Sequence, residues 1–442
     1  MLKRENLNSK DTLHFPKQIV FKKHKSNYLA VAVDTANWIV LLSQYQKEIL
    51  QRLIYGASIG DIILSTSSES DKVQVKNLLS KIMARDFASK EYPPVLQSVT
   101  ASKFLNVYLT NECNLRCNHC FMNSGIKMKD ELDTETWLQI LRDFRNANGE
   151  CLTISGGEPL MREDFGHILK YAADLGINTT VLTNGTLWTK ELIDSLSKYI
   201  SEIQISIDGV DELSNSIVRG TGYYEKAVNS VVNFSNNGVR TSVATTFVFE
   251  NLKFADTYQQ FVNEISCQTE NQVFFKLSKK ILKGRKTNYS DIDNKRFYEA
   301  INAIEKQVNS TSSLRNFIID HEPNWGLKNC GFGGLSIAAN GDVYLCNRIS
   351  EIESYGNVKE HQLDYFLNIG SKINKATSVN YVKPCFDCEL KYICGGGCRI
   401  DDFNIKGVLN SSDNYVQVNC NNEFKEDLIR KMVESFNAYY RF

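Results

Sequence analysis

The segment Cys113-Asn114-Leu115-Arg116-Cys117-Asn118-His119-Cys120 places three thiols within eight residues of a chain that has no cysteine before position 113. It starts four residues after the apolar run Leu105–Leu109, so it reads as a loop leaving a β-strand. Five more runs rich in β-branched and apolar residues follow, at Cys151–Ser155, Asn178–Leu182, Glu202–Ile207, Arg240–Phe247 and Val273–Leu277. Helical patterns lie between them at Thr134–Arg145, Glu163–Leu175, Lys190–Tyr199, Tyr223–Asn236 and Phe254–Glu264; in the fourth, Val228, Val231, Val232 and Phe234 recur near the helical period. Strands alternating with helices pair in parallel through right-handed crossovers. The expectation is an α/β fold, a partial (β/α)6 TIM-like barrel, whose site lies at the C-terminal ends of the strands. The cysteine loop sits on that rim.

Three thiolates at CxxxCxxC spacing can hold three irons of a [4Fe–4S] cube and leave the fourth open. A zinc loop completed by His119 is the competing reading, although structural zinc generally takes four ligands in CxxC pairs. The next strands end in Ser155-Gly156-Gly157-Glu158-Pro159, Thr183-Asn184-Gly185 and Ser206-Ile207-Asp208-Gly209. Gly156 and Gly157 let a ligand approach the backbone and Glu158 offers an acceptor to an ammonium group; a plain Gly-Gly-Glu-Pro turn is the alternative. Asn184, Ser206 and Asp208 present groups suited to a ribose or an amino-acid carboxylate. Arg219 can pair with a carboxylate or lie on the surface.

Seven further cysteines run from Cys330 to Cys420, in the pattern C-x10-G-x4-C, then C-x2-C-x5-C-x3-C, then a last C. Cys394-Gly395-Gly396-Gly397-Cys398 calls for tight backbone turns, and the whole reads as a metal domain, with zinc ribbons as the alternative. Twelve Cys among 442 residues is far below the roughly 8–10% of disulfide scaffolds. Cys151 reads as a small buried hydrophobe in a strand, and Cys267 falls in a polar turn, Ser266–Gln272. Lys+Arg 51 balances Asp+Glu 51, so no global field gathers nucleic acid or anionic lipid. The polar start at Met1 and the lack of an apolar run of about 18 residues lead to an expectation of a cytoplasmic protein without membrane contact.

Taken together, the rim motifs resemble the radical S-adenosylmethionine (SAM) superfamily over about residues 104–280. Cys113, Cys117 and Cys120 are similar to its cluster motif, with His119 where an aromatic residue is usual. Gly156, Gly157, Glu158 and Pro159 resemble its GGEP motif, which holds the methionine amino group. Ser206 and Asp208 match its ribose and carboxylate region, with Asn184 and Arg219 as further cofactor contacts. The resemblance implies that the open iron binds the amino and carboxylate groups of SAM, that an electron from the cluster cleaves the sulfonium, and that a 5′-deoxyadenosyl radical takes hydrogen from the substrate. That chemistry belongs to the cofactors; the barrel supplies a dry, oriented cavity.

The C-terminal cysteines resemble the SPASM domain of radical SAM peptide-modifying enzymes, which carries two auxiliary [4Fe–4S] clusters. The resemblance assigns Cys385, Cys388, Cys394 and Cys420 to one cluster and Cys330, Cys346 and Cys398 to the other, making three [4Fe–4S] clusters with the first. The stretch from His321 to Asn329 has no Cys to serve as the fourth ligand of the second set. That leaves an open iron, a protein donor such as His321 or Cys267, or a substrate thiolate.

Near the N-terminus, Ile19–Phe21, Tyr28–Val33 and Trp38–Leu42 read as strands, followed by helices Gln44–Ile54 and Val73–Met83, with Gly56 as a stop. This small winged-helix-like α+β unit resembles the PqqD-like precursor-recognition domain, which takes an extended leader peptide onto its sheet edge. A DNA-binding winged helix is the alternative, but no Lys/Arg-rich recognition helix is present. The expected division is 1–95 for leader recognition, 96–320 for the barrel and 321–442 for the SPASM domain. The expected function is a radical SAM oxidoreductase that binds the leader of a ribosomally synthesised precursor peptide. It modifies the core, forming a thioether between a Cys sulfur and a carbon, and is fed by an external one-electron reductant such as flavodoxin or ferredoxin. Formylglycine formation, carbon–carbon crosslinking and epimerisation are alternatives within the same class. A zinc-stabilised peptide-binding adaptor is the non-enzymatic one.

Overall fold

The computed structural model describes residues 12–88, 103–270, 272–308, 328, 330–403, 420 and 422–440. His321 and the Pro93-Pro94 pair lie outside the described residues. Strands β1 (Ile19–His24), β2 (Asn27–Ala32) and β3 (Asn37–Leu41) form an antiparallel sheet in that order. Helix α1 (Gln44–Ile54) starts where the Ser43 hydroxyl accepts from the Gln46 N–H, and α3 (Glu69–Ala84) starts at a similar Ser68 cap; between them lies α2 (Ile59–Leu64). The sequence reading missed α2, whose only local signal is the capping box between Ser58 and Asp61. It also began α3 at Val73, several residues inside a helix whose first turn is polar.

The six expected strands are present as β4 (Phe104–Tyr108), β5 (Cys151–Ser155), β6 (Asn178–Thr183), β7 (Glu202–Ser206), β8 (Arg240–Thr245) and β9 (Val273–Leu277). They lie parallel and in sequence order. The register aligns Val107, Ile154, Val181, Ile203, Thr241 and Val273 across all six. Each is buried. Along β5 and β7 every second residue is buried and its neighbours are half-exposed; the pleat thus turns one face to the helices and the other to the concave side. The covering helices are α4 (Thr134–Asn146), α5 (Phe165–Asp174), α6 (Lys190–Leu196), α7 (Glu212–Arg219), α8 (Tyr224–Asn236), α9 (Tyr258–Gln268) and α10 (Asp291–Val308). Cys267 lies in the last turn of α9 and is exposed, not in a polar turn: the helix runs past Glu264 to Gln268, with Ile265 buried one turn from its end.

Six strands do not close the sheet. It has eight, because β10 (Leu335–Ile337) adds in parallel to β4 and β11 (Val343–Tyr344) adds antiparallel to β10. Strands of three and two residues are too short for a period to register in sequence. The largest apolar cluster accordingly runs from Leu105 through the barrel to Phe366, Val379 and Phe403. A second cluster joins Trp38, Leu50 and Leu78 of the N-terminal unit to Leu390, Ile393, Met432, Val433 and Phe436. The helix Asn422–Tyr439 lies over the three-stranded sheet, so both ends of the described chain share one core. Among the described residues no helix is long and apolar enough to cross a membrane.

Phe436 is fully buried in that shared core, so Phe436→Ala is expected to lower stability by about 3–5 kcal/mol, read as a lower denaturant midpoint. Lys81 is buried with its Nζ donating to the Val40 carbonyl at 2.9 Å, and burial pushes its pKa down to about 8. Between there and the ~10.4 of a free lysine, the unfolded chain holds a proton that the folded chain has released. The contribution of Lys81 to stability therefore rises with pH across that window. Lys81→Met should flatten that slope in unfolding measurements made from pH 7 to about pH 10.

Candidate active site and cysteine centres

The cysteine loop leaves β4 at the C-terminal rim and is gripped from four sides. From β5, the Gly157 N–H donates to the Thr110 carbonyl at 2.7 Å and the Glu158 N–H to the Glu112 carbonyl at 2.8 Å. From β6, the Asn184 amide donates to Asn114 Oδ1 at 2.8 Å and lies 3.9 Å from Cys113 Sγ. From α7, the Val218 and Ile217 carbonyls accept from the Asn118 backbone N–H and side-chain amide at 3.0 and 2.8 Å. The segment after β9 closes the fourth side: the Lys286 N–H donates to the Asn118 carbonyl, the Arg285 N–H to the Cys120 carbonyl, and the Arg285 guanidinium to the Cys117 and Ser124 carbonyls and the Asn123 side chain. Arg285 and Lys286 escaped the sequence reading. Their signal was the basic run from Lys279 to Lys286 immediately beyond a rim strand.

The two glycines pack against the chain's own cysteine loop. A Cβ on Gly157 would lie 2.1 Å from the Glu112 carbonyl oxygen, and one on Gly156, whose φ is +139°, would lie 2.5 Å from that of Thr110. The space a side chain would need is filled by the chain's own cysteine loop, so these residues admit backbone against backbone. Glu158 likewise turns inward: fully buried, its carboxylate accepts from the Thr183 hydroxyl at 2.7 Å and the Asn184 N–H at 2.8 Å. Burial pushes its pKa up to about 7, and those two donors pull the other way.

Asp208 is also committed. Its Oδ2 lies 2.6 Å from Arg219 Nε and 3.2 Å from His119 Nε2, and its Oδ1 accepts from the Thr246 N–H at 2.7 Å. Arg219 is thus buried against a carboxylate from its own chain, and the pair orients the imidazole inside the cysteine loop. Ser206 ends β7, half-buried, on the same rim.

The fold sorts the other cysteines into two sets. Cys330, Cys346 and Cys398 pack against the barrel's apolar cluster. Burial pushes Cys113 and Cys346 up to about 11 and Cys385 up to about 12, so metal binding there releases protons. Cys385, Cys388, Cys394 and Cys420 line one cavity together with Leu390 and Phe424. Between the two sets, Gly395, Gly396 and Gly397 have φ of 67°, 86° and 80°, a left-handed run that only glycine enters freely. Arg399, with no exposed surface, clasps that turn through the Gly395 and Gly397 carbonyls at 2.9 and 2.6 Å. Among the described residues no three His, Cys, Asp or Glu groups converge as one metal ion requires. Donor sets made of thiols alone, three in two places and four in a third, fit iron–sulfur clusters, whose thiolates bind separate irons.

Residues 107–261 match the radical SAM superfamily. The chain is 27% identical over 270 residues to the sporulation killing factor maturation protein SkfB of Bacillus subtilis, covering 60% of this chain and 63% of SkfB. It therefore spans less than two thirds of that relative. An AdoMet-dependent heme synthase of Nitratidesulfovibrio vulgaris is 24% identical over 330 residues, 68% of this chain and 88% of the relative. Among solved structures, anSMEcpe with bound AdoMet superposes with a TM-score of 0.54 at 18% identity, over 76% of this chain and 99% of that one; this likeness concerns the fold.

Because Gly157 has no room for a methyl group, Gly157→Ala is expected to cost about 1–3 kcal/mol and to push the cysteine loop off the β5 turn. Hydrogen exchange should then quicken over residues 112–120 while β7 and β8 keep their protection.

Proposed function

We propose that this chain, a radical SAM protein across residues 107–261, modifies the core of a ribosomally synthesised precursor peptide and joins a Cys sulfur to a carbon of another residue. The observation that carries the reading is the placement of Cys113, Cys117 and Cys120 in a loop held on the barrel rim and of Cys385, Cys388, Cys394 and Cys420 around one cavity in the C-terminal segment. Cys113, Cys117 and Cys120 would hold a [4Fe–4S] cluster with SAM on its open iron; Cys385, Cys388, Cys394 and Cys420 would hold a second, and Cys330, Cys346 and Cys398 a third. When bound, the first cluster and SAM supply a carbon radical able to take hydrogen from an unactivated C–H bond.

The protein's own groups do the positioning. Gly156, Gly157, Glu158 and Pro159 dock the β5 turn under the cysteine loop, and Glu158 fixes Asn184 beside Cys113. Asp208 and Arg219 hold His119 against the loop from behind, and Ser206 offers a hydroxyl on the open side. The relative named for maturation of a killing factor supports a peptide substrate. Three thiols at the Cys330 set, with no fourth Cys just upstream, support a substrate sulfur as the missing donor.

The N-terminal unit would receive the leader as an added strand. Along β3 the Leu42 N–H, Val40 carbonyl and Trp38 N–H are bonded to the side chains of Gln46, Lys81 and Asn37, so a strand joining there displaces these caps. The electron would come from an external one-electron reductant such as flavodoxin or ferredoxin.

Anaerobically reconstituted protein is expected to hold about twelve irons, and the Cys113→Ala, Cys117→Ala, Cys120→Ala variant should lose about a third of them together with all SAM cleavage. With SAM, reductant and a precursor containing a core Cys, the product should lose two hydrogens and one alkylatable thiol. The same core without its leader should turn over about tenfold more slowly, a loss of about 1.4 kcal/mol of binding. Stoichiometric zinc without iron would return the adaptor reading. An aldehyde product would favour formylglycine formation, and turnover of a porphyrin instead of a peptide would favour the chemistry of the heme synthase relative.

A further inference from the structure

The cysteine set at Cys330, Cys346 and Cys398 has a neighbour whose hydrogen bonds can all be traced. Arg348, two residues past Cys346, directs Nε to Glu351 Oε1 at 2.7 Å and Nη2 to the other Glu351 oxygen and to Asp401 Oδ1 at 3.0 Å. Its Nη1 donates to Asp401 Oδ2 at 2.7 Å and to Cys398 Sγ at 3.3 Å. A guanidinium has five N–H bonds. Four are spent on two carboxylates, each gripped by two nitrogens, and the fifth meets sulfur.

Two features show that the fifth contact is aimed. Asp401 is itself anchored by Lys280 Nζ at 2.5 Å, from the segment just beyond β9 on the barrel rim, and the Cys398 N–H donates to Asp402 at 2.6 Å. The sulfur and the guanidinium are therefore each fixed by a different partner. The ionic charges also cancel, since Arg348 and Lys280 face Asp401 and Glu351. What reaches Cys398 is a directed N–H and little net charge.

We infer that Arg348 is a positioning residue that sets the reduction potential of the centre held by Cys330, Cys346 and Cys398. The inference rests on the reading of that set as an iron–sulfur site. Hydrogen bonds to cysteine sulfur are among the determinants of cluster potential. An N–H donor stabilises the more negative, reduced state more than the oxidised one, so its presence raises the potential. Asp401 and Glu351 act through Arg348 by fixing its plane, and Lys280 ties this arrangement to the barrel rim where substrate would lie.

The test is an EPR-monitored redox titration of the full-length, reconstituted protein in the background lacking Cys113, Cys117 and Cys120. Arg348→Gln should lower the midpoint of one auxiliary signal by about 59 mV, a tenfold shift of the reduced-to-oxidised ratio for one electron, with iron content unchanged. Arg348→Lys keeps the charge and loses the two-carboxylate grip, and should fall between the wild type and Arg348→Gln. An unshifted midpoint at full iron content overturns the inference. So does loss of that signal and its iron in both Arg348 variants, which would make the residue a scaffold only. If the wild-type background shows fewer than two auxiliary signals, the cluster reading falls and takes the inference with it.

Discussion

The parallel register of the central sheet is the constraint from which the rest follows. Ile337, Val107, Ile154, Val181, Ile203, Thr241 and Val273 form one row across seven strands, all buried. A slip of one residue in any strand would turn its apolar side chains to the concave face. Because the strands run the same way, fixing that row fixes where each one ends. The loops after β4, β5, β6, β7 and β9 arrive at a common rim and bond to one another there. The cysteine loop is short, yet residues from more than a hundred positions further along the chain hold it.

Much of this arrangement could be read from the residues. Alternation of β-branched runs with amphipathic ones located six strands, and the bounds of β5 and β9 came out as the fold has them. Of the clustered cysteines, Cys385, Cys388, Cys394 and Cys420 line one cavity. Other features left no periodic trace. Strands β10 and β11 exist only because β4 offers an edge, and α2 is a single capped turn and a half. The inward use of Gly157 and Glu158 could not be read either, since a sequence shows that a backbone must come close but not which backbone.

The rim is built from charges that are already balanced. Glu158 satisfies backbone and hydroxyl donors of β6, and Asp208 is shared between Arg219 and His119. Burial of a polar group costs free energy where a partner is lacking, as at His119 Nδ1, which is buried without a hydrogen bond. These side chains therefore tie the rim loops to one another.

The packing of Met432, Val433 and Phe436 onto Trp38 and its sheet bears on how the molecule is made. Contacts between positions so far apart in sequence close a very large loop, and such contacts form late. A chain emerging from the ribosome presents β1 to β3 long before the helix that covers them exists. The N-terminal unit completes its core only after the barrel and the C-terminal cysteines have been synthesised, so the order of translation itself keeps it unfinished until the rest of the chain is in place.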